Sequence, residues 1–140
     1  MATPYETVYE RFLNRITDFN LGEFDDHTLN EMLKSWLCTA IVNTRTSTDL
    51  SARDDESEVF KNDLSDRDIE LLAMGMTLAW IEPTINSTEL TSQFIGGKEE
   101  KYYSQANHID ALRNLREDTR VEMKRIHSYG TYLNNSYFDN

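Results

Sequence analysis

The chain has 140 residues, of which 39% are hydrophobic and 28% charged, with two prolines, five glycines and one cysteine. That length holds one domain with one hydrophobic core, and the scarcity of proline and glycine excludes a loop-rich all-β design or a disordered linker. The net charge of −11, from 25 acidic and 14 basic residues, has the wrong sign for a protein that wraps nucleic acid by neutralising phosphates, although Arg113, Arg116, Arg120, Lys124 and Arg125 form a local basic run.

The first predicted helix covers about 4–19. Thr3 stands as N-cap, Pro4 at the first helical position and Glu6 as the partner of a capping box, followed by Val8, Tyr9, Phe12, Leu13 and Ile16 on one face. Asn20, Leu21 and Gly22 read as its end. The second helix, about 26–42, takes its cap from Asp25 or Asp26. Leu29, Met32, Leu33, Trp36, Leu37, Ala40 and Ile41 keep helical spacing along it, and Cys38 reads as a small core residue on the same side. A polar loop follows at 43–48. Ser51 to Asn62 reads as a short, heavily charged helix with Val59 and Phe60 as its only apolar anchors.

Ser65 caps the third main helix, with Asp66 and Asp68 beside the positive end of its dipole. Ile69, Leu72, Ala73, Met76 and Trp80 lie on one face, and Leu71, Met74, Leu78 and Ile81 on another. A helix apolar nearly all round belongs in the centre of a bundle, so 66–82 is the expected core helix, ended by Pro83. A short helix is expected over Glu89–Ile95, closed by Gly96-Gly97. The last main helix runs over about 104–128, with Ile109, Leu112, Leu115, Val121, Met123 and Ile126 as an imperfect stripe. Gly130 is expected to release the chain into an extended aromatic tail. The predicted fold is therefore all-α. A compact bundle of four main helices plus short ones fills 1–129, and a tail fills 130–140.

Chemistry-bearing motifs are sparse. His27, His108 and His127 make no His-Glu-x-x-His pair, and Cys38 has no Cys-x-x-Cys partner, so no zinc site is expected. Asp49, Asp54, Asp55, Glu56, Glu58, Asp63, Asp66 and Asp68 form the one acidic cluster. They lack the glycine and terminal glutamate of a calcium loop, and helix starts and a solvated face account for them. Gly96-Gly97-Lys98 is only a fragment of a phosphate loop. The expectation is a protein that is not an enzyme, with no cofactor and no metal. A single cysteine forms no internal disulfide, no apolar run approaches the ~20 residues that cross a bilayer, and Met1–Glu6 shows no basic-then-apolar signal. The expected setting is a reducing cytoplasm or a particle assembled there.

The C-terminal aromatics stand apart. Tyr129, Tyr132, Tyr137 and Phe138 are large amphipathic groups in a segment that a small domain can leave unburied, and such groups are enriched at binding surfaces. They are the expected partner-binding residues, with folding back onto the protein's own core as the alternative.

Several blocks of the chain resemble small structural proteins of tailed bacteriophages. They are Tyr5-Glu6-Thr7-Val8-Tyr9-Glu10-Arg11-Phe12-Leu13, Asp49-Leu50-Ser51-Ala52-Arg53-Asp54, Ala79-Trp80-Ile81-Glu82-Pro83-Thr84-Ile85-Asn86-Ser87 and Lys101-Tyr102-Tyr103-Ser104-Gln105-Ala106-Asn107-His108. The resemblance is to virion proteins of the neck, of head–tail connector or adaptor type. It implies a non-catalytic helical subunit in a homo-oligomeric ring between portal and tail, with portal and tail-side neck proteins as partners and no active-site residues. DNA would pass through such a ring without specific binding, and an acidic lining suits that. The alternatives are a tail-completion or baseplate protein and, more distantly, an acidic metal-dependent hydrolase using the Asp54–Asp68 region.

Overall fold

The computed structural model describes the backbone of residues 2–16, 24–94 and 99–133, and the side chains of 2–16, 24–87 and 107–128. In chain order the elements are β1 (Thr3–Pro4), α1 (Tyr5–Arg15), α2 (Asp26–Asn43), β2 (Arg53–Asp54), β3 (Val59–Phe60), α3 (Asp66–Phe94) and α4 (Glu99–Leu133). The mostly helical fold expected from the apolar spacing is the fold observed. α3 is its axis, touched by α1, α2 and α4. Every residue from Leu71 to Thr77 on α3 is buried, as an all-round apolar helix requires.

The core gathers Tyr5, Val8 and Phe12 from α1 and Ile16 just past its end with Leu33, Leu37 and Ala40 from α2. α3 contributes Leu72, Met76, Trp80, Ile81 and Ile85, and α4 contributes Leu112. Phe12 is central, with its ring 5.6 Å from that of Trp36 and 6.4 Å from that of Trp80. α2 approaches α3 most closely at Gly75, where an added Cβ would lie 2.9 Å from the Ala40 methyl and press on the Thr44 hydroxyl.

Helix starts follow the expected chemistry in two cases. The Asp25 carboxylate accepts from the Thr28 N–H at 2.6 Å, and the Ser65 hydroxyl from the Asp68 N–H at 3.2 Å. α1 departs from expectation, because Pro4 is its cap and no side chain bonds there. Thr3 instead pairs as strand, and its hydroxyl donates to the Asn62 carbonyl and accepts from the Leu64 N–H. α1 ends at Arg15 with Ile16 as its C-cap, short of the expected 19, and the stop residues expected at 20–22 lie outside the described residues.

The short helix expected at 51–62 is a hairpin. β3 pairs antiparallel with both β1 and β2, in the order β1-β3-β2, with Phe60 opposite Thr3 and Arg53. Asp54 causes the turn. Its carboxylate accepts from the Glu56 and Ser57 N–H groups and the Ser57 hydroxyl, and this side-chain bonding competes with helix. Glu58 closes the turn in the left-handed region, at φ 55°. Val59 and Phe60, adjacent in sequence, point to opposite faces, so only Phe60 reaches the core.

α3 does not stop at Pro83. It runs on to Phe94 and absorbs residues 89–94 of the short helix expected at 89–95. Pro83 is exposed while Ile81 and Ile85 beside it are buried. Core burial of the flanking isoleucines therefore offsets the roughly 3 kcal/mol that an interior proline costs. α4 likewise begins before the expected 104 and continues through Gly130 to Leu133, so Gly130 does not release the chain.

Candidate functional site

α4 is fastened to the body by two arginine clamps. Near its middle, Arg116 and Arg120 donate to the Glu82 carboxylate at 3.3 and 2.9 Å. Closer to its C-terminus Glu122 accepts from Arg15 at 3.0 Å, and the other Arg15 nitrogen reaches Glu70 at 2.6 Å. One α1 residue thereby ties α3 to α4. The buried stripe under these clamps is Ile109, Leu112 and Thr119, with Leu115 partly buried. Val121, expected in the stripe, is 59% exposed, and Thr119 takes the core position by donating its hydroxyl to the Leu115 carbonyl at 2.7 Å.

Beyond the second clamp lies an open groove of about 550 Å³, lined by Arg11, Asp66, Arg67, Glu70, Arg125 and Ile126. Arg11 reaches Glu70 at 3.3 Å and Asp66 at 3.7 Å. Burial and the nearby Arg67 and Arg45 charges hold the His127 imidazole below its usual value. Positive charge from the α2–α3 connection, α3 and α4 therefore converges at this end of the bundle. Past Arg125 and Ile126, which line this groove with the first turn of α3, α4 runs on from His127 to Leu133, a helical length of about 10 Å.

A second groove, of about 440 Å³, lies between α1, α2 and the hairpin. Its carboxylates are Glu6, Glu10 and Glu58, its apolar lining includes Pro4, Leu13, Leu33 and Val59, and among the described residues no cation lines it.

The expected partner-binding residues fall at the edge of what is described. Tyr129 and Tyr132 belong to the last turns of α4, which corrects the expected place of Tyr132 in the extended tail. Their side chains, and Tyr137 and Phe138 entirely, lie outside the described residues, as does Gly96-Gly97-Lys98. Cys38 is exposed on α2, correcting its expected core position; one residue past buried Leu37 turns the side chain about 100° away.

The acidic cluster divides into separate structural jobs. Asp49 accepts from the Ser51 N–H, Asp54 builds the turn, Asp55 accepts from the Tyr5 hydroxyl at 2.6 Å and Glu58 from that of Tyr9 at 3.3 Å. Asp68 is fully buried on four hydrogen bonds from Ser47 and Thr48. Burial pushes its carboxyl up, but those bonds outweigh that and hold it below the ordinary range. Among the described residues no three His, Cys, Asp or Glu side chains stand together as a metal site, and no helix is long and apolar enough to cross a membrane. Sequence reasoning missed Arg11 and Arg15. Their signal was a spacing of one helical turn on the α1 flank away from its core stripe.

No family model matches this chain, no curated protein is similar to it, and no solved structure matches its fold.

Proposed function

We propose that the chain is a non-catalytic structural subunit of a tailed-phage virion, forming a head–tail connector ring between portal and tail. The resemblance of its sequence blocks to neck proteins suggests the reading. The single structural observation that supports it is the length of α4, which runs on beyond its arginine clamps and carries Tyr129 and Tyr132 in its last turns. A long helix tied to the body through Arg15 and Glu82 and carrying aromatics in its last turns suits an interlocking subunit. The net charge of −11 suits a conduit that does not retain DNA.

Deleting the gene from its phage tests the reading. DNA-filled heads and finished tails that fail to join are the expected result. Malformed tails would move the protein to tail completion or the baseplate, and a stoichiometric divalent site seen by calorimetry at Asp54–Asp68 would favour the hydrolase. Truncation after Tyr129 is expected to leave helicity and melting nearly intact while impairing incorporation into particles.

A further inference from the structure

The two grooves lie on opposite flanks of α1. Glu6 and Glu10 line one and Arg11 the other, and at about 100° per residue these flanks stand roughly a third of a turn apart, one on each side of the core stripe. They are opposite in charge as well as in position. In the first groove Glu70 is shared between Arg11 and Arg15, and the Asp66 side chain is 94% exposed to solvent. Arg67 pairs with the buried Asp68 at 3.6 Å, its own side chain remaining partly exposed. Arg125 is exposed and has no carboxylate within 4.0 Å among the described residues. In the second groove Glu6 and Glu10 are exposed with no ion pair among the described residues, and Glu58 meets only the neutral Tyr9 and Asn30.

We propose that the Arg11–Arg67–Arg125 groove receives the Glu6–Glu10–Glu58 flank of a second copy of this chain, so that copies associate head to tail. The contact is heterologous, with one patch meeting a different patch, and such a contact closes into a ring or propagates as a filament rather than ending at a dimer. Ile126 on one side and Leu13 with Val59 on the other supply the apolar contact between the charges. A duplex of phosphates is the poorer occupant, because Asp66 and Glu70 line the Arg groove and the molecule as a whole repels it. This inference deepens the ring reading by naming its interface, and its test needs no particle. Exposed ion pairs are individually weak and salt-sensitive, so low ionic strength is where they are read.

Sedimentation velocity of the full chain in about 0.01 M salt should show concentration-dependent species heavier than the 16.4 kDa monomer. In about 1 M salt, where the screening length is about 3 Å, these should revert to monomer. R125E and E10R should each be monomeric alone, and an equimolar mixture should regain association, since each supplies the patch the other lacks. Both positions are exposed, so the fold should survive, checked by circular dichroism; R125A and E10Q replace either variant that does not fold. A wild-type chain that stays monomeric on the order of 1 mM in low salt overturns the proposal. So do variants that sediment like wild type, or a monomer whose binding to a duplex oligonucleotide is lost in R125E. If R125E and E10R still enter particles, the interface fails and the neck reading stands. Association in vitro of a chain never found in particles does the reverse.

Discussion

The Asp68 carboxylate accepts from the Ser47 N–H at 3.0 Å and, through both its oxygens, from the Ser47 hydroxyl at 3.1 and 3.0 Å, and so pins the α2–α3 connection to the first turn of α3. Asp68→Asn keeps the shape but turns acceptor capacity into donors that face other donors. A loss of about 2–3 kcal/mol is expected in urea unfolding. Because the folded carboxyl lies below its ordinary 3.8, its contribution is complete above that pH and fades as pH falls through the lowered value. The wild type should therefore lose stability more steeply than Asp68→Asn below about pH 4; parallel acid limbs would contradict this.

Gly75 sits where α2 and α3 nearly touch. Alanine is the better helix former by about 1 kcal/mol, yet Gly75→Ala should be destabilising by about 1–3 kcal/mol, because its methyl meets Ala40 and Thr44 in a filled core. Thr44→Ala removes a buried hydroxyl that has no hydrogen-bond partner and should recover part of that loss. A double-mutant cycle reads the coupling, and additive effects would show that the contact is not the cause.

Trp80 is 4% exposed and packs edge-on against Phe12. Trp80→Ala should cost about 3–5 kcal/mol. An unchanged unfolding midpoint would remove Trp80 from the core.

Tyr5 and Tyr9 are held well above the usual phenol range. Burial is the larger cause for both, reinforced by the hydrogen bond to Asp55 for Tyr5 and by the Glu58 charge for Tyr9. Of the seven tyrosines, these two should stay protonated in the folded state past pH 10, so the phenolate absorbance should fall short until the chain unfolds. Their contribution is complete below the ordinary value of 10 and is lost as pH rises beyond it, since only the unfolded chain then ionises. The double variant Tyr5→Phe/Tyr9→Phe should remove both the absorbance deficit and that alkaline loss.

Legibility in the sequence depended on how local each cause was. The caps at Asp25 and Ser65 were readable because the side chain and the N–H it serves are three residues apart. The α4 stripe was readable at Ile109 and Leu112 but misassigned at Val121, because Thr119 can satisfy its hydroxyl within its own helix. The Arg groove was not readable, since Arg11, Arg67 and Arg125 come from three helices.

What the sequence by itself determined is the helical class and the identity of the central helix. Apolar spacing at three and four residues is a property of the chain alone, and a segment apolar on all faces has no stable place except among neighbours. Tertiary structure alone decided three other features. Pro83 continues a helix because Ile81 and Ile85 are buried on either side of it. Residues 53–60 become a hairpin because Thr3 and Pro4 offer a strand to pair with and the core accepts Phe60. The opposite charges of the two α1 flanks emerge only when α3, α4 and the hairpin bring Arg67, Arg125 and Glu58 alongside them. In each case the deciding energy comes from contacts between residues far apart in the chain, which no local pattern carries.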